Sequence, residues 1–88
     1  MAQIGLDPEQ MSAVQKLMTS DAQNIRNITS KLDGQLKSAW WEGPDSKKFR
    51  GEWDASYKAQ LTKIAAALEQ AAQVIGQNVA QQQQASAG

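Results

Sequence analysis

Nine carboxylates are the chain's candidates for acid–base or metal chemistry: Asp7, Glu9, Asp21, Asp33, Glu42, Asp45, Glu52, Asp54 and Glu69. Such chemistry needs carboxylates that converge, as in the metal sites of helical bundles, where glutamates and histidines project inward from facing helices. None of the nine forms an i, i+3 or i, i+4 pair on an apolar helix face, and the chain has no histidine to complete such a site. Nucleophilic catalysis fares no better. There is no cysteine, and Ser12, Ser20, Ser30, Ser38, Ser46 and Ser56 have no histidine to activate them. No glycine-rich phosphate cradle follows a strand pattern. The sequence therefore reads as a protein that is not an enzyme and carries no metal and no cofactor.

Binding by net charge is disfavoured as well. The 88 residues hold nine basic and nine acidic side chains, and the tightest basic group, Lys47, Lys48 and Arg50, is interleaved with Asp45 and Glu52. Capture of nucleic acid or of an anionic membrane needs a basic face. The start, MAQIGLDPEQ, has neither a basic region nor an apolar one of the kind a Sec signal needs. No apolar stretch approaches the roughly 20 residues that span a bilayer.

What the chain does contain is helix signals. In LDPEQM, Asp7 can cap a helix whose first residue is Pro8, with Gln10 at the third position and Leu6 and Met11 spaced as a hydrophobic staple. Apolar residues then recur at Met11, Val14, Met18, Ile25, Ile28, Leu32 and Ala39, in steps that fit a heptad seam with gaps at Asp21 and Gln35. Asp21 is expected to reach solvent; the alternative is a buried acid that sets register or partner choice. Gly34 marks either a kink or a close helix contact. The pattern pauses at Trp41-Glu42-Gly43-Pro44, where proline disfavours helical geometry in Gly43 and is suited to open a second helix.

The second apolar stripe runs Phe49, Trp53, Tyr57, Leu61, Ile64, Leu68, Ala71, Ile75 and Val79. The expected organisation is an all-α chain: helix 1 over about 8–40, a turn at 41–43, helix 2 over about 44–80, and a polar, disordered tail at 81–88. So short a connection makes the helices antiparallel, a helix-turn-helix hairpin. Two helices cannot cover both stripes, so the hairpin is expected to dimerise into an elongated four-helix bundle. Met18, Ile25, Ile28 and Leu32 from one helix, with Phe49, Trp53, Leu61, Ile64 and Leu68 from the other, are the candidate core and dimer interface. Trp40 and Trp41 cannot both face one core, because adjacent helical residues point about 100° apart. One of them must be exposed or meet a partner.

The Trp41-Glu42-Gly43 tripeptide between two amphipathic helices, the start MAQIGLDPEQM, and Phe49 and Trp53 after the turn resemble the WXG100 family, the ESAT-6-like proteins exported by bacterial type VII (ESX) secretion systems. The likeness covers about residues 4–80. It implies a helical hairpin that dimerises with itself or with a paralogue, is exported folded without a Sec signal, and is recognised by an FtsK/SpoIIIE-like ATPase. Such a protein acts as a secreted factor or escorts other substrates. On this likeness Trp40, Trp41, Gly43 and Pro44 form the turn and a recognition groove beside a partner's C-terminal segment. The sequence departs from the family in one respect. A Tyr-x-x-x-Asp/Glu export signal after the second helix is lacking: Tyr57 is followed four residues on by Leu61, Trp41-x-x-x-Asp45 lies in the turn, and QQQQASAG has neither aromatic nor acid. The signal is then degenerate or supplied by a partner. A homodimer is favoured over a heterodimer with a paralogous WXG100 protein, since a net charge of zero sets no like-charge bar to self-association. The competing reading, a Rop-like cytoplasmic bundle that binds RNA along its helices, needs a basic outer face that the sequence does not offer.

Overall fold

The computed structural model describes residues 5–87; residues 1–4 of the expected hairpin and Gly88 of the expected tail lie outside the described residues. Helix α1, Pro8–Ser38, begins where the cap signals put it. Asp7 has extended backbone (φ −84°, ψ 113°), and its Oδ1 accepts from the backbone N–H groups of Glu9 at 2.9 Å and Gln10 at 3.1 Å. Two donors that a helix start leaves unpaired are thereby satisfied.

Helix α2, Pro44–Glu52, a π-helical turn, Trp53–Tyr57, and helix α3, Lys58–Ala87, follow one another without a break. The element is an all-α hairpin of two long arms. Contacts descend along one arm as they ascend along the other, Gln15 with Gly76, Arg26 with Glu69 and Asp33 with Lys58, so the arms run antiparallel. The extents of 67 × 17 × 16 Å describe a rod one helix pair thick.

Four features differ from the sequence expectation. First, α1 stops at Ser38, two residues before the expected end, and the turn becomes 39–43. Ala39 leaves the helix with extended backbone, and Arg50 from α2 takes carbonyls that a further helical turn would have used. Second, the second arm contains the π turn, in which the Lys58 N–H bonds to the Trp53 carbonyl. One extra residue per turn there rotates α2 against α3. Third, α3 continues as helix through residues 81–87, where a disordered tail is expected. Glutamine and alanine are good helix formers, and the Gln82 side chain lies beside Gly5. Fourth, α1 runs unbroken past Gly34, and nothing lies within 4 Å of where its Cβ would be. Within the hairpin it marks no close helix contact.

The seam between the arms is also made of other residues than the large aliphatic ones. Its buried column is Ala22 and Thr29 on α1 with Ala65, Ala72 and Val79 on α3, each set at a spacing of seven. The Gln15 side chain reaches across to Gly76, where an added Cβ would meet its Nε2 at 2.6 Å. Of the expected core residues only Trp53 is buried between the arms. Met18, Ile25, Phe49, Leu61 and Leu68 are partly buried, while Ile28, Leu32 and Ile64 are exposed. Asp21 is exposed, as expected.

Spacing explains where the large residues went. Relative to the buried column, residues four further on fall to one side and residues three further on to the other. Arg26 and Asp33 stand four beyond Ala22 and Thr29, and Glu69 stands four beyond Ala65. The Arg26–Glu69 contact, 2.6 Å from Nη2 to Oε1, shows that these sides of the two arms adjoin, forming one charged flank. Ile25 and Leu32, three beyond the same α1 residues, then share the opposite flank with Leu68 and Ile75 of α3. On it, and just outside it, lie Ile28 (54% exposed), Ile64 (51%) and Leu32 (44%).

Candidate functional site

Two surfaces stand out: the hairpin tip and the uncovered apolar flank. At the tip, Gly43 has φ +111° and ψ 176°, a conformation in which a side chain is strained, and this turns the chain into Pro44. No side chain caps α2 at Gly43; the Lys47 N–H closes the first turn on the Gly43 carbonyl at 3.2 Å.

Ser46 and Arg50, one helical turn apart on α2, organise what lies above them. The Ser46 hydroxyl, only 2% exposed with its residue, donates to the Trp41 carbonyl at 2.7 Å and accepts from Arg50 Nε at 2.9 Å. Arg50 Nη2 donates to the Ala39 carbonyl at 3.1 Å, and Nη1 donates to the Leu36 carbonyl. The guanidinium carbon sits 5.9 Å from the centre of the Trp41 ring, within cation–π range. Trp41 in turn leans on Phe49 (centroids 5.7 Å apart, planes at 44°), and Phe49 on Tyr57 (6.0 Å, 36°). Trp41 is 41% exposed, and Trp40 projects into solvent at 87%. Of the two adjacent tryptophans, Trp40 is the one left facing outward. A cleft of about 700 Å³ opens at the turn, lined by Trp41, Glu42, Gly43, Pro44, Ser46, Lys47 and Arg50.

Behind the tip, Asp33 is the junction between the arms. It accepts from the Trp53 indole N–H at 3.0 Å and from Lys37 at 2.9 Å and Lys58 at 3.3 Å, and Lys58 also meets Asp54 at 3.1 Å. Lys37, then the Trp53 indole, with a smaller part from Lys58, hold the Asp33 carboxyl well below the usual carboxylate range. Hydrogen bonds to Asp54 and Asp33 push the Lys58 ammonium up. Along the charged flank, Arg26 lowers Glu69 and is itself raised by it.

Trp41, Gly43 and Pro44 of the sequence-derived turn motif come together around the cleft, with Trp40 just outside its lining. Ser46, Arg50 and Asp33 were not singled out by sequence reasoning. Arg50 carried one usable signal, its place four residues after Ser46 on a helix that starts at Pro44. Asp33 carried only its i, i+4 spacing to Lys37; its other partners, Trp53 and Lys58, come from the other arm. Among the described residues no three acidic side chains converge to hold a metal ion, and no helix is long and apolar enough to cross a membrane.

The fold defines an all-α helical hairpin with an exposed apolar flank and a cleft at its tip. No family model matches the chain, and neither a curated protein nor a solved structure does.

Proposed function

We propose that this chain is a non-enzymatic, ESAT-6-like protein exported by a bacterial type VII secretion system, working through dimerisation and protein recognition as a secreted factor or an escort of other substrates. The observation that carries the reading is the uncovered apolar flank of a hairpin whose tip presents an exposed tryptophan in a Trp-x-Gly turn. A hairpin that buries alanines between its arms and leaves isoleucines and leucines outside has placed its main apolar surface where a second hairpin can cover it.

A second copy of this chain is the favoured partner, and the product is an elongated four-helix bundle. Met18, Ile25, Ile28, Leu32, Leu61, Ile64 and Leu68 supply that interface, and a paralogous WXG100-type hairpin is the alternative partner. The tip, with Trp40, Trp41, Gly43 and Pro44, meets the export machinery, whose FtsK/SpoIIIE-like ATPase is the proposed contact. Export takes the folded dimer out of the cell.

The test has two parts. Sedimentation equilibrium of the purified chain reads twice the mass of one chain if the flank pairs; a folded monomer at all concentrations sinks the bundle. In a type VII-competent host, Trp41→Ala reduces export more than it reduces helicity; unchanged export sinks the role of the tip.

A further inference from the structure

We infer that Arg50, acting with Ser46, is the positioning residue of the tip: it clamps the Trp40–Trp41 dipeptide at both ends and so fixes the direction in which Trp40 is presented. This deepens the proposed function and rests on the tip being its recognition surface.

A tryptophan that is 87% exposed gains no orientation from packing. Its direction depends on the peptide planes that carry it. The carbonyl of Ala39 lies in the plane of the 39–40 peptide, and the carbonyl of Trp41 in the plane of the 41–42 peptide. Arg50 Nη2 holds the first at 3.1 Å, and Ser46 Oγ holds the second at 2.7 Å. The two holders are joined to each other by Arg50 Nε on Ser46 Oγ at 2.9 Å. Arg50 Nη1 anchors the unit on the Leu36 carbonyl in the last turn of α1. One guanidinium fork thus connects the end of α1, the turn and the first turn of α2, with its carbon over the Trp41 ring at 5.9 Å.

The residue type matters to this assignment. Arginine presents donors at three nitrogens in a rigid plane, so it can serve three acceptors on different segments at once. Lysine keeps the charge and the attraction to the Trp41 ring but offers one nitrogen at the end of a flexible stem. Substituting it separates positioning from charge.

The experiment uses the full chain labelled at its tryptophans with ¹⁵N. Backbone order parameters of Trp40 and Trp41 are measured in the wild type, in Arg50→Lys and in Ser46→Ala, with far-UV circular dichroism and mass alongside. The expected result is a fall from rigid values of about 0.85 towards loop values below about 0.6 in both variants, with helicity and mass retained. Export by a type VII-competent host is expected to drop severalfold in Arg50→Lys, to the level of Trp40→Ala. Order parameters unchanged in both variants overturn the positioning role. Should one variant lose helicity, the other decides. Lowered order together with normal export of Trp40→Ala would overturn the proposed role of the tip and leave the clamp standing.

Discussion

The indole N–H of Trp53 donates to Asp33 Oδ1 at 3.0 Å, tying the π turn of the second arm to the middle of the last third of α1. Trp53 is the largest side chain buried between the arms, at 8% exposure, and its polar edge has a partner within the hairpin. The same carboxylate receives Lys37 from its own helix and Lys58 from the other arm. Asp33 therefore gathers charge from both arms at the level where the small-residue seam gives way to the aromatic tip. Its loss would leave the indole N–H without its partner, remove the counter-charge of Lys37, and leave Lys58 with Asp54 alone.

That arrangement makes stability fall in acid. The Asp33 carboxyl is held well below its ordinary value, chiefly by Lys37 and the Trp53 indole, and the Glu69 carboxyl is lowered by Arg26. The unfolded chain takes up these protons near pH 4, roughly the model-peptide range, whereas the folded chain does so only lower down. The stabilisation is accordingly complete above the unfolded values and lost as pH falls through the folded ones. The expected urea midpoint is level between about pH 7 and 5.5 and declines below about pH 4.5. Asp33→Asn lowers the midpoint at neutral pH and flattens the decline. Lys58 has the opposite sign: raised by Asp54 and Asp33, it contributes below its ordinary value and loses the contribution in strong alkali. An acid slope identical in Asp33→Asn and wild type would refute the assignment.

The sequence was informative where a rule acts locally. The α1 start was legible because Asp7 caps backbone N–H groups only two and three residues on, at Glu9 and Gln10, and the second arm's start was legible from Gly43-Pro44. The face buried between the arms was not. Periodicity locates an apolar stripe but does not say whether the stripe faces its own partner arm or another molecule. Here the alanine column at 65 and 72 took the inner position, Leu68 and Ile75 three positions on are only partly buried, and Ile28, Leu32 and Ile64 are exposed. The tip network depends on carbonyls of Leu36, Ala39 and Trp41 that are freed only once α1 ends at Ser38. No residue pattern announces such acceptors.

The alanine column is expected to be intolerant of size. Ala65 is fully buried and Ala72 is 3% exposed, both in the seam between the arms. Ala72→Leu would force the arms apart and destabilise the hairpin by roughly 1–3 kcal/mol, the usual range for overpacking a tight core. Chemical denaturation measures it directly. A variant as stable as the wild type would mean that the seam is looser than the burial of Ala72 implies.

Flank substitutions should behave in the reverse manner. Ile28 and Ile64 are more than half exposed, so each touches little of its own hairpin. Ile28→Lys combined with Ile64→Lys is expected to convert the proposed dimer to single chains while each chain keeps most of its helicity in concentrated solution. Sedimentation at several concentrations reads the shift. If the mass stays that of the assembled form, the flank is not where the copies meet.

Glycine-to-alanine substitution provides a test in which one chemical change has two opposite signs. Gly43 has a φ of +111°, where alanine is strained, although no atom lies within 4 Å of the added Cβ. The penalty is backbone strain alone, and Gly43→Ala is expected to destabilise by roughly 1–3 kcal/mol. Gly34 also faces open space, but inside α1 with ordinary helical geometry. There alanine reduces the freedom of the unfolded chain and improves helix propensity, so Gly34→Ala is expected to stabilise by about 0.5–1 kcal/mol. Because neither site offers a clash, the difference between the two variants isolates the backbone conformation of the turn. Urea midpoints measured side by side would separate them. Equal midpoints would mean that the turn at Gly43 relaxes to ordinary backbone geometry when a side chain is added.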